Sequence, residues 1–286
     1  MPPDPSPPVS CSVVVPCRNG GATLARQLAA LAEQSAPVPF EVIVADNGST
    51  DDSVAVARGF APLVQVVDAS QQPGVNVARN AGIAASRGEL VLLCDADDRV
   101  HPGWVAAYWR AYCDGVQLMG GSLRLVTTDG RELRWQRYLN DDLRFLPWPT
   151  GANCGFARSV LDTVGMLDPE LRGGGDDTEF FWRAQLAGYE LVHVGDAAVD
   201  YVTRPTLRGQ FAQAAGFGRS QVQLHREFAG SGMPRARTLL DVSPVRRLVG
   251  RAGSDDGRRM STTVVRFVGM RWGRLLGSWR MRHWYF

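Results

Sequence analysis

The residues best suited to chemistry form the turn Asp95-Ala96-Asp97-Asp98. Three carboxylates within four residues repel one another unless a cation lies among them. A site made only of oxygen ligands suits a hard divalent ion, Mg²⁺ or Mn²⁺, and leaves room for phosphate oxygens. The alternative is a solvated turn whose aspartates cap a helix ahead of Pro102. The turn by itself leaves both interpretations open.

A separate pair of adjacent carboxylates, Asp176-Asp177, follows three consecutive glycines at the start of a predicted helix. The pair would stabilise this helix by placing negative charge at its N-terminus. The sequence around the pair therefore predicts the start of a helix approached through flexible glycines.

Sequence motifs of several other enzyme classes are absent. No P-loop and no G-x-G-x-x-G sequence follows the first predicted strand, which leaves Walker-type ATP hydrolysis and dinucleotide redox chemistry without support. The G-x-S-x-G elbow of hydrolases is missing too. Residues 15–19 (VPCRN) lack the glycine-rich loop that a sugar nucleotidyltransferase would need. The four histidines are scattered, and the five cysteines form no C-x-x-C pair, so a zinc site and a disulfide framework are not indicated.

The elements that must position these groups alternate between strand and helix. Strands are predicted at 11–16, 40–45, 64–68 and 89–94, and helices at 22–34, 52–60 and 77–86. This alternation predicts a parallel sheet with right-handed crossovers, which binds ligands at the carboxyl ends of its strands. Three predicted strands end there in polar groups, in the segments 16–19 (PCRN), 46–48 (DNG) and 95–98 (DADD).

The pattern changes after about residue 115. One or two strands are predicted within 116–128, short strands at 190–194 and 197–202, and helices at 159–164, 177–187 and 206–228. Residues 131–148 show little periodicity, and the glycines at 230–232 mark a predicted boundary.

The charge of the chain is divided unevenly along its 286 residues. All 31 basic residues are arginine, and residues 235–286 hold 12 of them against 3 aspartates, while the rest of the chain is mildly acidic. Residues 262–282 read as an amphipathic helix, with Val265, Val268, Trp272, Leu275, Leu276 and Trp279 on one side. Arg266, Arg271, Arg274 and Arg280 lie mostly opposite. This pattern is typical of a helix on an anionic membrane, with packing on the protein's own body or a dimer contact as alternatives.

The overall composition is that of an ordinary globular protein, with 45% hydrophobic and 21% charged residues. The Pro-rich residues 1–10 are predicted to be a disordered leader, since they lack the pattern of a secretory signal. No apolar run is long enough for a spanning helix, and unpaired cysteines fit a reducing cytosol. Nothing resembles a nucleic-acid module, so no nucleic-acid partner is expected.

Six short segments together give the chain a family resemblance. They are 12–19 (SVVVPCRN), 41–51 (EVIVADNGSTD), 78–83 (ARNAGI), 93–98 (LCDADD), 150–153 (TGAN) and 175–180 (GDDTEF). In this order, the chain resembles the family-two inverting glycosyltransferases with a GT-A fold over about residues 11–228. Each segment is a weak motif alone, but the ordered set is highly specific.

The resemblance implies a role for each matching position. The residues implied in nucleotide binding are Pro16, Arg18, Asn19, Asp46, Arg79, Asn80 and Asp95. Those implied near the donor or acceptor sugar are Trp148, Gly151, Asn153 and Asp176. Asp97 matches the metal ligand of the family's D-x-D motif, and Asp177 matches the general base. Plainer interpretations are an Asx turn for Asp46, a surface ion pair for Arg79 and a core position for Trp148.

Two departures from the family pattern bear on the metal and the base. Many members carry a histidine after the last strand as a further metal ligand, but residues 198–202 (AVDYV) have none, leaving Asp200 or water as substitutes. Asp176 also stands where the family usually has glutamate, which leaves the candidate base Asp177 unchanged.

These expectations combine into one prediction. The fold is expected to be α/β of GT-A (Rossmann-like) type, with a mostly parallel sheet flanked by helices and a basic helical C-terminal extension. A glycosyltransferase domain at 11–228 would be followed by a tail at 229–286. The activity would be metal-dependent inverting transfer, using Mn²⁺ or Mg²⁺, from a nucleoside-diphosphate sugar to a cell-envelope or lipid-linked glycan. The alternative is a catalytically silent sugar-nucleotide or glycan-binding module. The expected location is the cytoplasm, peripherally on the inner face of the cell membrane through residues 262–286.

Overall fold

The computed structural model describes residues 9–236 and 257–285, with the backbone alone at 257–260. The predicted leader therefore lies outside the described residues except for positions 9 and 10, and so does the stretch 237–256 of the predicted tail. The proposed domain division after residue 228 stays a prediction.

The first hundred residues form a parallel α/β unit. Its elements are β1 (Cys11–Cys17), α1 (Gly21–Ala32), β2 (Phe40–Asp46), α2 (Ser53–Arg58), β3 (Val64–Asp68), α3 (Val75–Ala85) and β4 (Leu90–Cys94). Strand β1 pairs in parallel with both β2 and β4, and β2 pairs in parallel with β3. The predicted strands and helices of this half are all present, because buried apolar runs and helical periodicity are both local signals.

The second half adds antiparallel strands and further helices. Its elements are β5 (Arg99–Val100), α4 (Trp104–Cys113), β6 (Leu118–Val126), β7 (Glu132–Gln136), β8 (Asn153–Ala157), α5 (Arg158–Val164), α6 (Asp176–Leu186) and β9 (Leu191–Val202). Helix α4 and strands β7 and β8 were not predicted. Strand β9 is one strand where two were expected, and the break appears as a shift in its register with β6 between Gly121 and Ser122.

All the described strands belong to one sheet of order β3-β2-β1-β4-β8-β6-β9-β5, with β7 on β6. Four pairings are parallel and four antiparallel among the described residues. Three of the parallel pairings belong to the first half and the fourth joins β6 to β9, so the sheet as a whole is mixed rather than mostly parallel. The antiparallel pairing of β4 with β8 places Asn153 opposite Cys94. The segment before β8 therefore lies at the edge of the sheet where β4 ends.

The central strands β1, β2 and β4 are buried on both faces, as their near-continuous apolar runs require. Alternate residues of β1 point to opposite sides, so that Val13 and Val15 pack in one core and Val14 in the other. The first core includes Leu24 and Leu28 of α1 and the rings of Trp104 and Tyr108 from α4. Burial of these rings accounts for a helix that local sequence did not predict.

Two long helices follow the sheet, α7 (Leu207–Phe228) and α8 (Gly257–Met281), with a 3-10 turn at Ala229–Ser231 between them. The predicted basic helical extension is thus confirmed as a helix, and it packs along α7. Three glycines four residues apart, Gly269, Gly273 and Gly277, face α7. A Cβ atom on Gly273 would lie 2.1 Å from the carbonyl oxygen of Ala215, so the two backbones are nearly in contact.

The faces of α8 differ in one respect from the prediction. Arg274, expected on the polar side, faces α7, where its Nε donates a 2.8 Å hydrogen bond to Gln221. Val268, Trp272, Leu275 and Trp279 are exposed as predicted, whereas Val265 and Leu276 are half-buried. Among the helices of the described residues, none combines the length and hydropathy needed to cross a bilayer.

Candidate active site

Side chains of α1 hold the backbone of the acidic turn that follows β4. Gln27 donates a hydrogen bond to the carbonyl of Asp95 and accepts one from the amide of Val100, at 3.1 and 3.0 Å. Arg26 donates to the carbonyl of Asp97 at 3.0 Å. With its backbone fixed in this way, the turn brings one carboxylate oxygen each of Asp95, Asp97 and Asp98 within 4.8 Å of one another.

Crowding of these carboxylates changes their acidity. Burial raises the pKa of Asp95 to about 6, with Asp97, Asp176 and Asp177 adding to the rise and Arg79 opposing it. Burial also raises the pKa of Asp98 well above its ordinary value. Oδ1 of Asp98 accepts a 2.9 Å hydrogen bond from the amide of Val202, but its buried Oδ2 has no partner among the described residues.

The three carboxylates therefore offer oxygen ligands of the kind that a hard divalent cation binds. Such a cation would also give the buried Oδ2 of Asp98 a partner. A cation there would favour the charged forms of all three groups, which burial and mutual repulsion now disfavour. The residues present therefore fit Mg²⁺ or Mn²⁺.

Arg79 of α3 connects this turn to the pair of adjacent carboxylates, Asp176-Asp177. Its Nη1 lies 2.5 Å from Asp176 Oδ2 and its Nη2 lies 3.5 Å from Asp95 Oδ1. Burial by itself would lower the pKa of Arg79, but the carboxylates of Asp176, Asp95 and Asp177 outweigh it and raise the pKa. Asn76, one turn earlier, accepts from Arg79 and donates to the carbonyl of Asp176 at 3.0 Å. The guanidinium is therefore a buried, fully charged bridge rather than a surface ion pair.

Asp177 lies at the start of α6 with both carboxylate oxygens hydrogen-bonded. Oδ2 accepts from the amide of Gly151 at 2.5 Å, and Oδ1 accepts from the amide of Thr178 at 2.7 Å. Burial raises the pKa of Asp177, as does Asp176, while Arg79 and the two amides lower it. The carboxylate is oriented by backbone groups and has acceptor capacity to spare, as a general base requires.

Gly151 is required by close approach. A Cβ atom here would lie 2.5 Å from Nη2 of Arg79 and 3.1 Å from Oδ2 of Asp177. Any side chain at this position would thus displace the guanidinium of Arg79 or the carboxylate of Asp177.

The predicted nucleotide-side residues meet where β1 and β2 end. Asn19, with a φ of 53°, accepts a 2.8 Å hydrogen bond from the amide of Thr50 and donates its own amide to Ser49 Oγ. Asp46 accepts from the amide of Ser49, three residues on, at 3.2 Å, which is one residue further than in the expected Asx turn. Arg18 is exposed beside this junction, and Pro16 lies within β1. The two turns form one rigid rim, with Arg18 available to a ligand.

Two of the predicted site residues, Asn153 and Asn80, make hydrogen bonds that hold the scaffold, and only Asn153 is fully occupied by them. The buried side chain of Asn153 accepts from Trp104 and Tyr108 and donates to the carbonyls of Ser122 and Ala197, all at 2.8–2.9 Å. These four bonds use its full capacity, which corrects the expectation of a sugar contact. The side chain of Asn80 is bound on both its oxygen and its nitrogen by the backbone of Leu167, which leaves it one acceptor and one donor position.

The predicted sugar-side aromatic residue, Trp148, is half-buried. Its ring meets Trp182 edge to face at a centroid distance of 5.7 Å, and Trp182 is fully buried. Trp182 is therefore a core residue. Trp148 remains accessible over some of its surface, close in sequence to Thr150 and Gly151 at the edge of the site.

The stretch after β9 differs from the expectation about a further metal ligand. Asp200 does not join the acidic turn, since its oxygens are held by Arg124 at 2.6 and 2.7 Å and by His101 at 2.6 Å. These bonds lower the pKa of Asp200 against the effect of its burial. Instead Arg204, four residues later, places its Nη1 3.1 Å from Oδ2 of Asp97.

Arg204, Gln27 and Asn76 are the site residues that sequence analysis missed. The signal for Arg204 was its position two residues after the stretch 198–202, where many family members have a histidine. Gln27 gave a weak signal, as a polar residue beside Leu28 on the apolar stripe of α1. Asn76 gave none, because its partners lie 92 and 100 residues away.

The fold and the site define a GT-A type glycosyltransferase, and comparison with known proteins places it in a family. The model of the family "Glycosyl transferase family 2" matches residues 12–165, more than half of the chain. The protein therefore belongs to glycosyl transferase family 2, as the ordered segments predicted.

Relatives and solved structures agree with this assignment. The chain is 28% identical to glycosyltransferase AglE of Haloferax volcanii, covering 74% of this chain and 73% of AglE. It is 31% identical to the succinoglycan biosynthesis protein ExoU of Rhizobium meliloti, covering 67% of this chain but only 62% of ExoU.

Two solved structures share the fold over 97% of this chain. The mannosyltransferase PcManGT of Pyrobaculum calidifontis, in complex with GDP-Man and Mn²⁺, matches with a TM-score of 0.63 at 17% identity over 89% of its chain. S. aureus TarS 1–349 in complex with UDP-GlcNAc matches with a TM-score of 0.57 at 18% identity over 93% of its chain. At this identity they establish the GT-A fold.

Proposed function

We propose that this glycosyltransferase carries out metal-dependent, inverting transfer of a sugar from a nucleoside diphosphate to an acceptor hydroxyl group. The observation that carries the proposal is the double contact of Arg79. Its guanidinium touches Asp95, which follows β4, and Asp176, which begins α6. The carboxylate proposed for the donor and the acidic pair that contains the proposed base therefore lie around one buried guanidinium, although they are about eighty residues apart in sequence.

In the proposed reaction Asp177 acts as the general base. Its backbone hydrogen bonds fix the plane of the carboxylate, which takes the proton of the acceptor hydroxyl as that oxygen attacks the anomeric carbon. The bond from the anomeric carbon to the diphosphate breaks, and its electron pair leaves with the nucleoside diphosphate. One displacement assisted by one base inverts the anomeric centre.

A divalent ion would be held by Asp95, Asp97 and Asp98, and it would neutralise charge on the leaving diphosphate. Pro16, Arg18, Asn19, Asp46, Arg79 and Asp95 remain the proposed nucleotide-side residues. Trp148, Gly151 and Asp176 remain the proposed sugar-side residues. The ligands of the two structural neighbours, GDP-Man with Mn²⁺ and UDP-GlcNAc, support a nucleoside-diphosphate sugar as donor class.

For the acceptor we propose a hydroxyl of a cell-envelope or lipid-linked glycan. Support comes from the name of ExoU, a succinoglycan biosynthesis protein, and from the helix face described below.

The test is donor turnover with and without metal. The protein is incubated with UDP- and GDP-sugars in Mn²⁺ or in chelator, and release of nucleoside diphosphate and the anomeric configuration of any product are measured. Metal-stimulated release with an inverted product supports the proposal. Tight nucleotide binding without any turnover would support a silent binding module instead, and a retained configuration would contradict the role of Asp177.

We further propose that the enzyme acts peripherally at the inner face of the cell membrane through residues 262–286. The side of α8 turned away from α7 carries Val264, Val268, Trp272, Leu275 and Trp279, of which Trp272 is 49% and Trp279 is 71% exposed. Exposed Arg280 and Arg282 adjoin Trp279 at the end of the helix. Trp and Leu beside Arg match the chemistry of an anionic bilayer surface, with rings at the headgroup level and guanidinium groups on phosphates.

Vesicle co-sedimentation tests this face. Binding to vesicles containing anionic phosphatidylglycerol should exceed binding to neutral phosphatidylcholine, and the double variant Trp272→Ser/Trp279→Ser should bind at least about tenfold more weakly. Leu133→Ser/Tyr138→Ser, an exposed apolar pair elsewhere, is the matched control. If the wild type does not bind vesicles, the membrane proposal is wrong. It is also wrong if the wild type dimerises and the double variant Trp272→Ser/Trp279→Ser does not.

A further inference from the structure

Arg204 lies in the short connection between β9 and α7, at the mouth of the acidic turn. Its backbone is anchored, since its carbonyl accepts a 3.0 Å hydrogen bond from Gln210 and Thr206 caps α7 two residues later. Its guanidinium makes one ion pair, with Asp97 across 107 residues of sequence. The side chain is 52% exposed and that of Asp97 is 38% exposed.

Arg79 and Arg204, which form ion pairs with carboxylates of the acidic turn, differ in how firmly they are held. Arg79 is buried between two carboxylates, so removing it from them would leave uncompensated buried charge. The pair of Arg204 and Asp97 is exposed to solvent, and exposed pairs of this kind contribute little to stability. Arg204 is therefore the cation of this site that can leave its partner at small cost.

Asp97 is also the residue proposed to bind the divalent ion, and Arg204 pairs with Oδ2 of that carboxylate. A guanidinium and a metal ion on the same carboxylate repel each other, so each weakens the binding of the other. The guanidinium is also well suited to phosphate, because its planar fork matches two phosphate oxygens.

We propose that Arg204 is an exchangeable counterion. In the ligand-free enzyme it neutralises Asp97, and when a divalent ion arrives with a nucleoside diphosphate it moves from Asp97 to an oxygen of the diphosphate. This inference rests on the proposed function and goes beyond it, because it assigns a diphosphate contact to a residue outside the family segments.

Opposite effects on two ligands follow from the exchange. Arg204 competes with a metal ion that arrives alone, so its removal strengthens binding of free metal. The same removal deletes a contact with the diphosphate, so it weakens binding of the metal-nucleotide complex. A merely structural arginine would move both affinities in one direction or neither.

The experiment compares Arg204→Met with the wild type and with Arg208→Met, a control at an exposed position in the first turn of α7. Binding of Mn²⁺ alone is measured by electron paramagnetic resonance, and binding of UDP and GDP in saturating Mn²⁺ by calorimetry. Arg204→Met should bind free Mn²⁺ about 2- to 5-fold more tightly. It should bind the nucleotide at least about tenfold more weakly, and Arg208→Met should match the wild type.

Unchanged or weaker binding of free Mn²⁺, or unchanged nucleotide affinity, in an Arg204→Met protein with wild-type melting temperature overturns the inference. The experiment separates a failure of the proposed function from a failure of the inference about Arg204. A wild type that binds neither nucleotide in Mn²⁺ overturns the proposed function and the inference together, whereas a wild type that binds and a variant that matches it overturn the inference alone.

Discussion

The amide nitrogen of Gly151 lies 2.5 Å from Oδ2 of Asp177, joining the segment before β8 to the first turn of α6. This hydrogen bond orients the proposed base with a backbone group, which cannot rotate away as a side chain can. The same glycine is packed against the guanidinium of Arg79. One residue therefore controls the position of both the base and its charged neighbour.

Replacement of this glycine should damage activity more than stability. In Gly151→Ala the new methyl group would lie 2.5 Å from Arg79, which forces the guanidinium or the backbone to shift. We expect transfer to fall by about tenfold or more, since a displacement near 1 Å can cost far more than that. Steady-state kinetics and thermal melting measure the two effects, with Gly230→Ala, which has open space around it, as control. Full activity in Gly151→Ala would refute the proposed geometry.

Removing the base should separate chemistry from binding. In Asp177→Asn the amide cannot take up the proton of the acceptor, so we expect transfer to fall by roughly 10²–10⁴. Nucleotide affinity, measured by calorimetry in Mn²⁺, should stay close to that of the wild type. The control is Asp162→Asn, at an exposed position in α5. An equal loss of binding and turnover would assign Asp177 to the nucleotide instead.

Activity should depend on pH through the same carboxylate. Burial raises the pKa of Asp177 above the ordinary value of about 3.9. The base works only when deprotonated, so kcat/KM should fall as pH decreases through this raised pKa, at a higher pH than for an exposed aspartate. In the metal-free enzyme burial raises the pKa of Asp95 to about 6, so protonation of Asp95, which opposes metal binding, acts in the same direction. A profile that stays flat down to pH 4 would contradict the assignment.

Arg79 should be necessary for folding stability as well as for the site. Arg79→Met leaves Asp176 and Asp95 without their buried partner, and such a loss typically costs about 3–5 kcal/mol. Urea unfolding measures the free energy of unfolding. Arg110→Met, which breaks the exposed pair with Asp196, is the matched control and should cost less than about 1 kcal/mol. Similar costs for the two variants would show that the Arg79 bridge is not a structural contact.

The contact between α7 and α8 gives a further prediction. Gly273→Val places branched carbons against the carbonyl of Ala215, where even a Cβ atom has no room. Such overpacking costs about 1–3 kcal/mol or more, so the melting temperature should drop. Val264→Leu, which enlarges an exposed residue of α8, should leave it unchanged. Equal melting of both variants would mean that α8 does not rest on α7.

Local sequence was enough for the parallel half of the fold and not for the rest. Strands β1, β2 and β4 were predicted correctly because each is a nearly continuous buried run of mostly apolar residues, and the partly exposed β3 was predicted from its valines. Strand β8 (Asn153–Ala157) has no such signature, and it lies between β4 and β6 only because both of those strands supply its hydrogen bonds. Helix α4 likewise depends on burial of its aromatic rings.

The residues of the candidate site could likewise be predicted from the sequence only in part. Asp95, Asp97, Arg79, Gly151, Asp176 and Asp177 were named from the sequence, and the structure brings them together. Asn153 was named because of the segment it belongs to, whereas its four hydrogen bonds come from distant regions of the chain. Arg204 was missed because its partner is 107 residues away, and no spacing rule reaches that far.

The glycine stripe of α8 has a consequence for how the enzyme would select substrates. The backbones of α7 and α8 are in contact along this stripe, and α7 begins three residues after Arg204. If Trp272 and Trp279 rest on a bilayer, this contact would fix the height of the proposed catalytic site above the lipids. Such an enzyme would select acceptors by length, because only those whose reactive sugar lies at that distance from the membrane would reach the site.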